Sequence, residues 1–110
     1  MHPVIVLTTV GENFDARELA RHLVDHRLAA CVNIVPNLFS MVRWRGNISR
    51  DYEQLLLIKT DAERIGALKT ALFERHPYEV PEFIVVPVET VEGAYAEWLA
   101  ESLADAPQAR

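Results

Sequence analysis

Cys31, His76 and Lys59 are the residues of this chain best suited to chemistry, and the setting of each narrows what it could do. Cys31 lies inside the run Leu28 to Val35, which reads as a strand. A thiolate there is a soft ligand for copper(I), zinc or mercury; a free cysteine in apolar surroundings otherwise packs as a small hydrophobe. His76 sits where a helical stretch meets a loop pinned by Pro77 and Pro81. Such a loop is rigid enough to hold a metal ligand or an acid–base group, and a histidine there can equally satisfy the last helical carbonyls. Lys59 follows Leu55 to Ile58. It snorkels to the surface, pairs with Glu53 or Glu82, or binds an anion. His22 and His26 stand at i, i+4 on a helix. That spacing can chelate a metal, but no third ligand lies nearby in sequence and both flank the polar side, so they read as a solvated face.

The sequence contains no phosphate-binding glycine loop, no paired Cys-x-x-Cys, no His-Glu-x-x-His and no serine in a nucleophile elbow. The chain is therefore expected not to be an enzyme. With 110 residues it makes one domain, 1–110, with an ordered core of about 4–103, large enough to bury roughly 65% of its unfolded surface. The net charge of −5 argues against nucleic acid, which calls for a basic patch. Its apolar stretches are short of the ~20 residues that cross a membrane. The lone cysteine excludes an internal disulfide and, with no evident signal peptide, suits a reducing, cytoplasmic setting.

The elements that position these residues follow from hydrophobic pattern. Val4 to about Thr9 reads as a strand. Ala16, Leu19, Ala20, Leu23 and Val24 make a helical stripe that ends near His26 or Arg27. Pro36 implies a bulge near a sheet edge. Leu38 to Arg45 and Ile48 to Thr60 are strands joined through a two-residue turn at Gly46-Asn47. Thr60 and Glu63 form a capping box for a helix with Ile65, Leu68 and Leu72 on its stripe. Phe83 to Val88 reads as a last central strand. Thr90 caps a third helix carrying Val91, Ala94, Tyr95, Trp98, Leu99 and Leu103. The tail after Ala104 is expected to fray.

The order β-α-β-β-α-β plus a helix is the α+β pattern of the ferredoxin-like sandwich. Three runs in it, Val4 to Leu7, Leu55 to Ile58 and Phe83 to Val86, are apolar without a break. A strand with one face in water alternates, so both faces of this sheet must be covered. Two helices cover one face. The other, about 400–600 Å² of apolar surface, exceeds what monomers expose, and its burial offers about 10–15 kcal/mol gross per subunit. Other copies of the chain are the expected cover, ahead of a third helix folded across it. The hairpin arms, far longer than the usual 5–6 residues, also want a neighbour.

Five segments in this order resemble the divalent-ion-tolerance protein family CutA: Leu28 to Asn33, Trp44 to Gly46, Glu53 to Thr60, His76 to Glu82 and Tyr95 to Leu99. The resemblance runs from about Val4 to Leu103. It implies a tight homotrimer built like the PII signalling proteins, with sheets facing inward and hairpins lapping onto neighbours. It also implies a link to tolerance of copper and other divalent cations, with Cys31 and His76 as the metal ligands. Some members add a cysteine at the end of the first strand and a histidine before the His-Pro-Tyr motif. This chain has Thr8 and Arg75 there, and an arginine beside the site would repel a cation. The resemblance further implies a small-ligand cleft between subunits, lined by Cys31, Glu53, Lys59, His76, Tyr78 and Glu82.

Overall fold

The computed structural model describes residues 1–105. Strand β1 (Pro3–Gly11) is followed by helix α1 (Ala16–Asp25), strands β2 (Cys31–Trp44) and β3 (Asn47–Asp61), a 3₁₀ turn over Ala62–Arg64, helix α2 (Ile65–Arg75), strand β4 (Ile84–Pro87) and helix α3 (Gly93–Leu103). The four strands form one antiparallel sheet in the order β2-β3-β1-β4. This is the expected α+β sandwich. Phe83 to Val88, expected as a central strand, is instead the short edge strand β4, because β1 and β3 pair directly along their whole common length.

Burial alternates strictly along β1: Val4, Val6, Thr8 and Val10 are buried, while Ile5, Leu7 and Thr9 are only half-covered. The buried set packs with Leu56 and Ile58 of β3, Ala16, Leu19 and Leu23 of α1, and Leu68, Ala71 and Leu72 of α2. Both main helices therefore lie on one face. Cross-strand register places Ile5, Leu7, Thr9, Leu55, Leu57, Lys59, Cys31, Asn33, Val35, Ile84 and Val86 together on the other. None of these is buried within one chain. Helix α3 covers only one end of this second face. Its Leu99 and Leu103 pack on Ala30, and Tyr95 lies 5.9 Å from the Lys59 ammonium. Tyr95 and Trp98 stay 42% exposed, so its predicted stripe is only half-used.

Local chemistry sets the element ends. The Asp15 carboxylate accepts from the Glu18 N–H at 3.1 Å, capping α1. The expected capping box at Thr60 moves one residue on. Strand parity buries the Thr60 side chain, whose hydroxyl donates to the Leu28 carbonyl, and Asp61 accepts from the Arg64 N–H instead. Thr90 does not cap α3; Glu92 precedes the first turn, with no side-chain cap. The hairpin turn is Arg45-Gly46 rather than Gly46-Asn47. Trp44 pairs with Asn47, and both turn residues take positive φ, 50° and 82°, as a twisted two-residue turn requires. The bulge expected at Pro36 is present: between Val35 and Leu38, β2 advances three residues while β3 advances two. Beyond it β2 and β3 leave β1 behind and run on as a two-stranded ribbon. Phe39, Met41, Val42, Trp44, Ile48 and Tyr52 are exposed on this ribbon, which stretches the subunit to 56 Å along its long axis.

Candidate functional site, an acidic cleft at one end of an uncovered sheet face

Strand β4 pairs with β1 only as far as Leu7. Beyond that point the β1 edge lacks a strand partner, and His76 takes its place. At the end of α2 its backbone switches to extended geometry (φ −68°, ψ 133°), as the following Pro77 demands. Its Nε2 lies 3.0 Å from the Thr9 carbonyl and 3.1 Å from Thr8 Oγ1, and its Nδ1 accepts the Tyr78 N–H at 3.1 Å. An accepting Nδ1 carries no proton, so Nε2–H donates to Thr9. The imidazole thus stands in for a missing ladder bond and fixes the start of the Pro77–Pro81 loop.

That loop delivers Tyr78 to the second face of the sheet. The Tyr78 hydroxyl donates to Glu53 Oε2 at 2.7 Å, and Glu53 is only 6% exposed. Burial, then this carboxylate, push the phenol pKa far above its ordinary value, so Tyr78 is a fixed donor. Glu82 faces the same carboxylate. Burial first, and the Glu53 charge second, raise its pKa above the usual carboxylate range. These side chains floor a cleft of about 810 Å³ between the loop and the ribbon, walled by Asp51, Trp44 and Met41. Arg45, at the ribbon tip, reaches Glu79 of the loop at 2.7 Å across its mouth.

The sequence-predicted residues therefore divide into two groups. His76, Tyr78, Glu53 and Glu82 come together. Cys31 and Lys59 face each other across β2 and β3 at the opposite end of the sheet. Lys59 and Glu53 share a face but stand six residues apart on β3, about 20 Å at strand spacing, so neither Glu53 nor Glu82 pairs with Lys59 in one chain. Cys31 is half-buried, its Sγ 3.8 Å from Asn33 Oδ1. Arg75 is not beside the site. It turns back to the Ala71 carbonyl and Glu74, and its charge is felt at His22 rather than at His76. Among the described residues no group of three or more His, Cys, Asp or Glu side chains is gathered as a metal would require. Sequence reasoning missed Gln54, whose amide donates at 2.9 Å to both the Gly11 and Phe14 carbonyls and closes the β1 end beside the cleft. No pattern in the chain marks it.

Burial, the largest influence, holds the His76 pKa below its ordinary value, against the Thr9 bond and the Glu53 charge. The unfolded chain therefore binds this proton more readily than the folded one. Stability from His76 is fully present above pH ~6.5, the free imidazole value, and is lost as pH falls below it toward the folded pKa. Thermal unfolding from pH 8 to 5 should show a lower midpoint at acid pH, and His76→Gln should flatten that slope. An unchanged slope in the variant would remove His76 as its cause.

The family model for the CutA1 divalent ion tolerance protein matches residues 4–102. The divalent-cation tolerance protein CutA of Thermus thermophilus is 45% identical over 98 residues, covering 89% of this chain and 95% of that one. The human Protein CutA is 43% identical over 93 residues; the match takes in 82% of this chain and only 52% of the human protein. The crystal structure of CutA1 from Oryza sativa superposes with a TM-score of 0.90 at 36% identity, covering 96% of this chain and 97% of that one. No helix among the described residues is long and apolar enough to cross a membrane. On sequence and fold together, the chain belongs to the CutA1 divalent ion tolerance family.

Proposed function

We propose that this protein serves divalent-cation tolerance as a PII-like homotrimer in the cytoplasm, binding copper or another divalent ion in clefts between its subunits. The observation that carries this reading is the uncovered face of the sheet. It is apolar at its centre, through Leu7, Leu55 and Leu57, and chemically distinct at its two ends. One end holds the Glu53, Tyr78 and Glu82 cluster with His76 at its edge; the other holds Cys31 and Lys59. Copies meeting on this face bring the acidic end of one against the thiol end of the next. Carboxylates, imidazole and thiolate then line one cleft, a mixed donor set that suits copper or zinc. Ligation by His76 at Nδ1 displaces the Tyr78 N–H, so binding couples to the loop.

Titration calorimetry with copper and zinc on wild type, Cys31→Ala and His76→Ala tests this. The expected result is saturable binding that weakens at least tenfold in one or both variants. Absence of saturable binding, or no loss in either variant, overturns it. One observation favours a second reading, a small-ligand sensor or protein scaffold with no metal role. The Lys59 ammonium is half-buried on the inner face and makes no ion pair among the described residues, so it is poised for an anion. A thermal-shift screen of nucleotides and organic acids separates the two, since a ligand of the folded state raises the melting temperature.

A further inference from the structure

We propose that His22 and His26 form an open two-imidazole site on the outer surface of α1 for a borderline divalent transition-metal ion, with copper(II) held most tightly. The two residues are one turn apart, and their rings lie face to face, centroids 4.1 Å apart and tilted by 34°. His26 Nδ1 is 2.9 Å from the His22 carbonyl. That oxygen only accepts, so Nδ1 carries the proton and Nε2 presents a free lone pair. A ring N–H held by a backbone carbonyl is the outer support that metal-ligating histidines nearly always have. Neither ring nitrogen of His22 has a hydrogen-bond partner among the described residues. Two nitrogens bound to one ion at 2.0–2.1 Å lie about 3 Å apart, and ring centroids 4.1 Å apart hold the two imidazoles at that scale.

The surroundings decide whether a cation is welcome. Glu18 and Asp25 contribute negative charge at His22, and Arg75 and His26 oppose it. Asp25 is held by Arg21 at 3.0 Å, which leaves Glu18, one turn before His22, as the nearer carboxylate on the same helical line. A neutral imidazole is the ligating form. The spacing alone reads as a solvated face. The stacked rings and the tautomer set by the backbone make it a chelate. Imidazole donors suit copper, zinc and nickel, and affinity among these peaks at copper(II). The site lies on the helix-covered side of each subunit, so it needs no partner copy and does not depend on the cleft proposed above.

Untagged protein titrated with copper(II), followed by calorimetry and by electron paramagnetic resonance, tests the assignment. In the Cys31→Ala/His76→Ala double variant, which lacks the cleft ligands, one ion per chain with two equatorial imidazole nitrogens is expected to remain. Its affinity should fall at least tenfold when His22→Ala or His26→Ala is added to that variant, and stay unchanged when His2→Ala is added. His22 is half-buried in the last turn of α1 and His26 is its exposed C-cap, so far-ultraviolet circular dichroism checks that α1 persists in both variants. Unchanged affinity in both helix variants, or loss confined to His2→Ala or to the cleft double variant, overturns it.

Discussion

Leu57→Glu is expected to turn the proposed trimer into monomers at low micromolar concentration. Leu57 lies at the centre of the uncovered face, opposite Leu7 on one side and Asn33 on the other. In one chain it is only half-covered, so a carboxylate there points into water and the subunit keeps its own core, which lies on the opposite face. In an assembly that closes this face, each copy would bury an unpaired charge, at an effective cost of several kcal/mol per ion. Three such charges near one axis would weaken association by at least a thousandfold. Sedimentation equilibrium provides the check: wild type at about three times the 12.5 kDa subunit mass, and the variant at one. A wild-type protein that is well folded and sediments as a single subunit would sink the trimer and the shared clefts with it.

Arg64→Met should cost about 3 kcal/mol of unfolding free energy. The Arg64 guanidinium ties three elements together. Nη1 meets Asp61 at 2.6 Å, Nε donates to the Arg27 carbonyl at 3.1 Å, and Nη2 donates to the Leu103 carbonyl at the end of α3. Arg27, in a left-handed turn at φ 55°, adds a bond from Nη1 to the Ser102 carbonyl. Two guanidinium groups thus satisfy carbonyls that a helix C-terminus leaves open, where its dipole also favours positive charge. Methionine keeps the apolar stem and the backbone N–H that Asp61 Oδ1 accepts, but leaves Asp61 Oδ2 without its ion partner on a carboxylate that is 4% exposed. Denaturant unfolding at fixed protein concentration measures the loss. Hydrogen exchange should report α3 amides opening first, because Leu99 and Leu103 are its only buried anchors. A change below 0.5 kcal/mol would show that the clamp is satisfied equally well by water.

Much of this architecture is legible in the chain. Unbroken apolar runs signalled strands with two faces to cover, and in each run one set packs on the core while the other faces away from it. The α1 stripe and its end near His26 or Arg27 follow from spacing alone. So does the end of α2 at a histidine before a proline. Features that depend on which residue lies opposite which were less legible. Gly46-Asn47 looks like the better turn, yet pairing of Trp44 with Asn47 moves it to Arg45-Gly46. Thr60 has the right spacing to cap, but its place on the buried face commits its hydroxyl to Leu28. No spacing marked Arg64, whose ion pair with Asp61 and reach to Arg27 and Leu103 belong to the tertiary structure.

Residue order alone determined the layer plan of this protein. Period, β-branching and proline positions act over a few neighbours, and those effects are strong enough to set strands, helices and the long ribbon. Only the tertiary structure decided that His76, Tyr78, Glu53 and Glu82 form one cluster while Cys31 and Lys59 stand at the far end of the same face. That outcome rests on strand register and on where β4 stops. A shift of a single residue in the register of β3 would move Glu53 and Lys59 to the opposite face of the sheet.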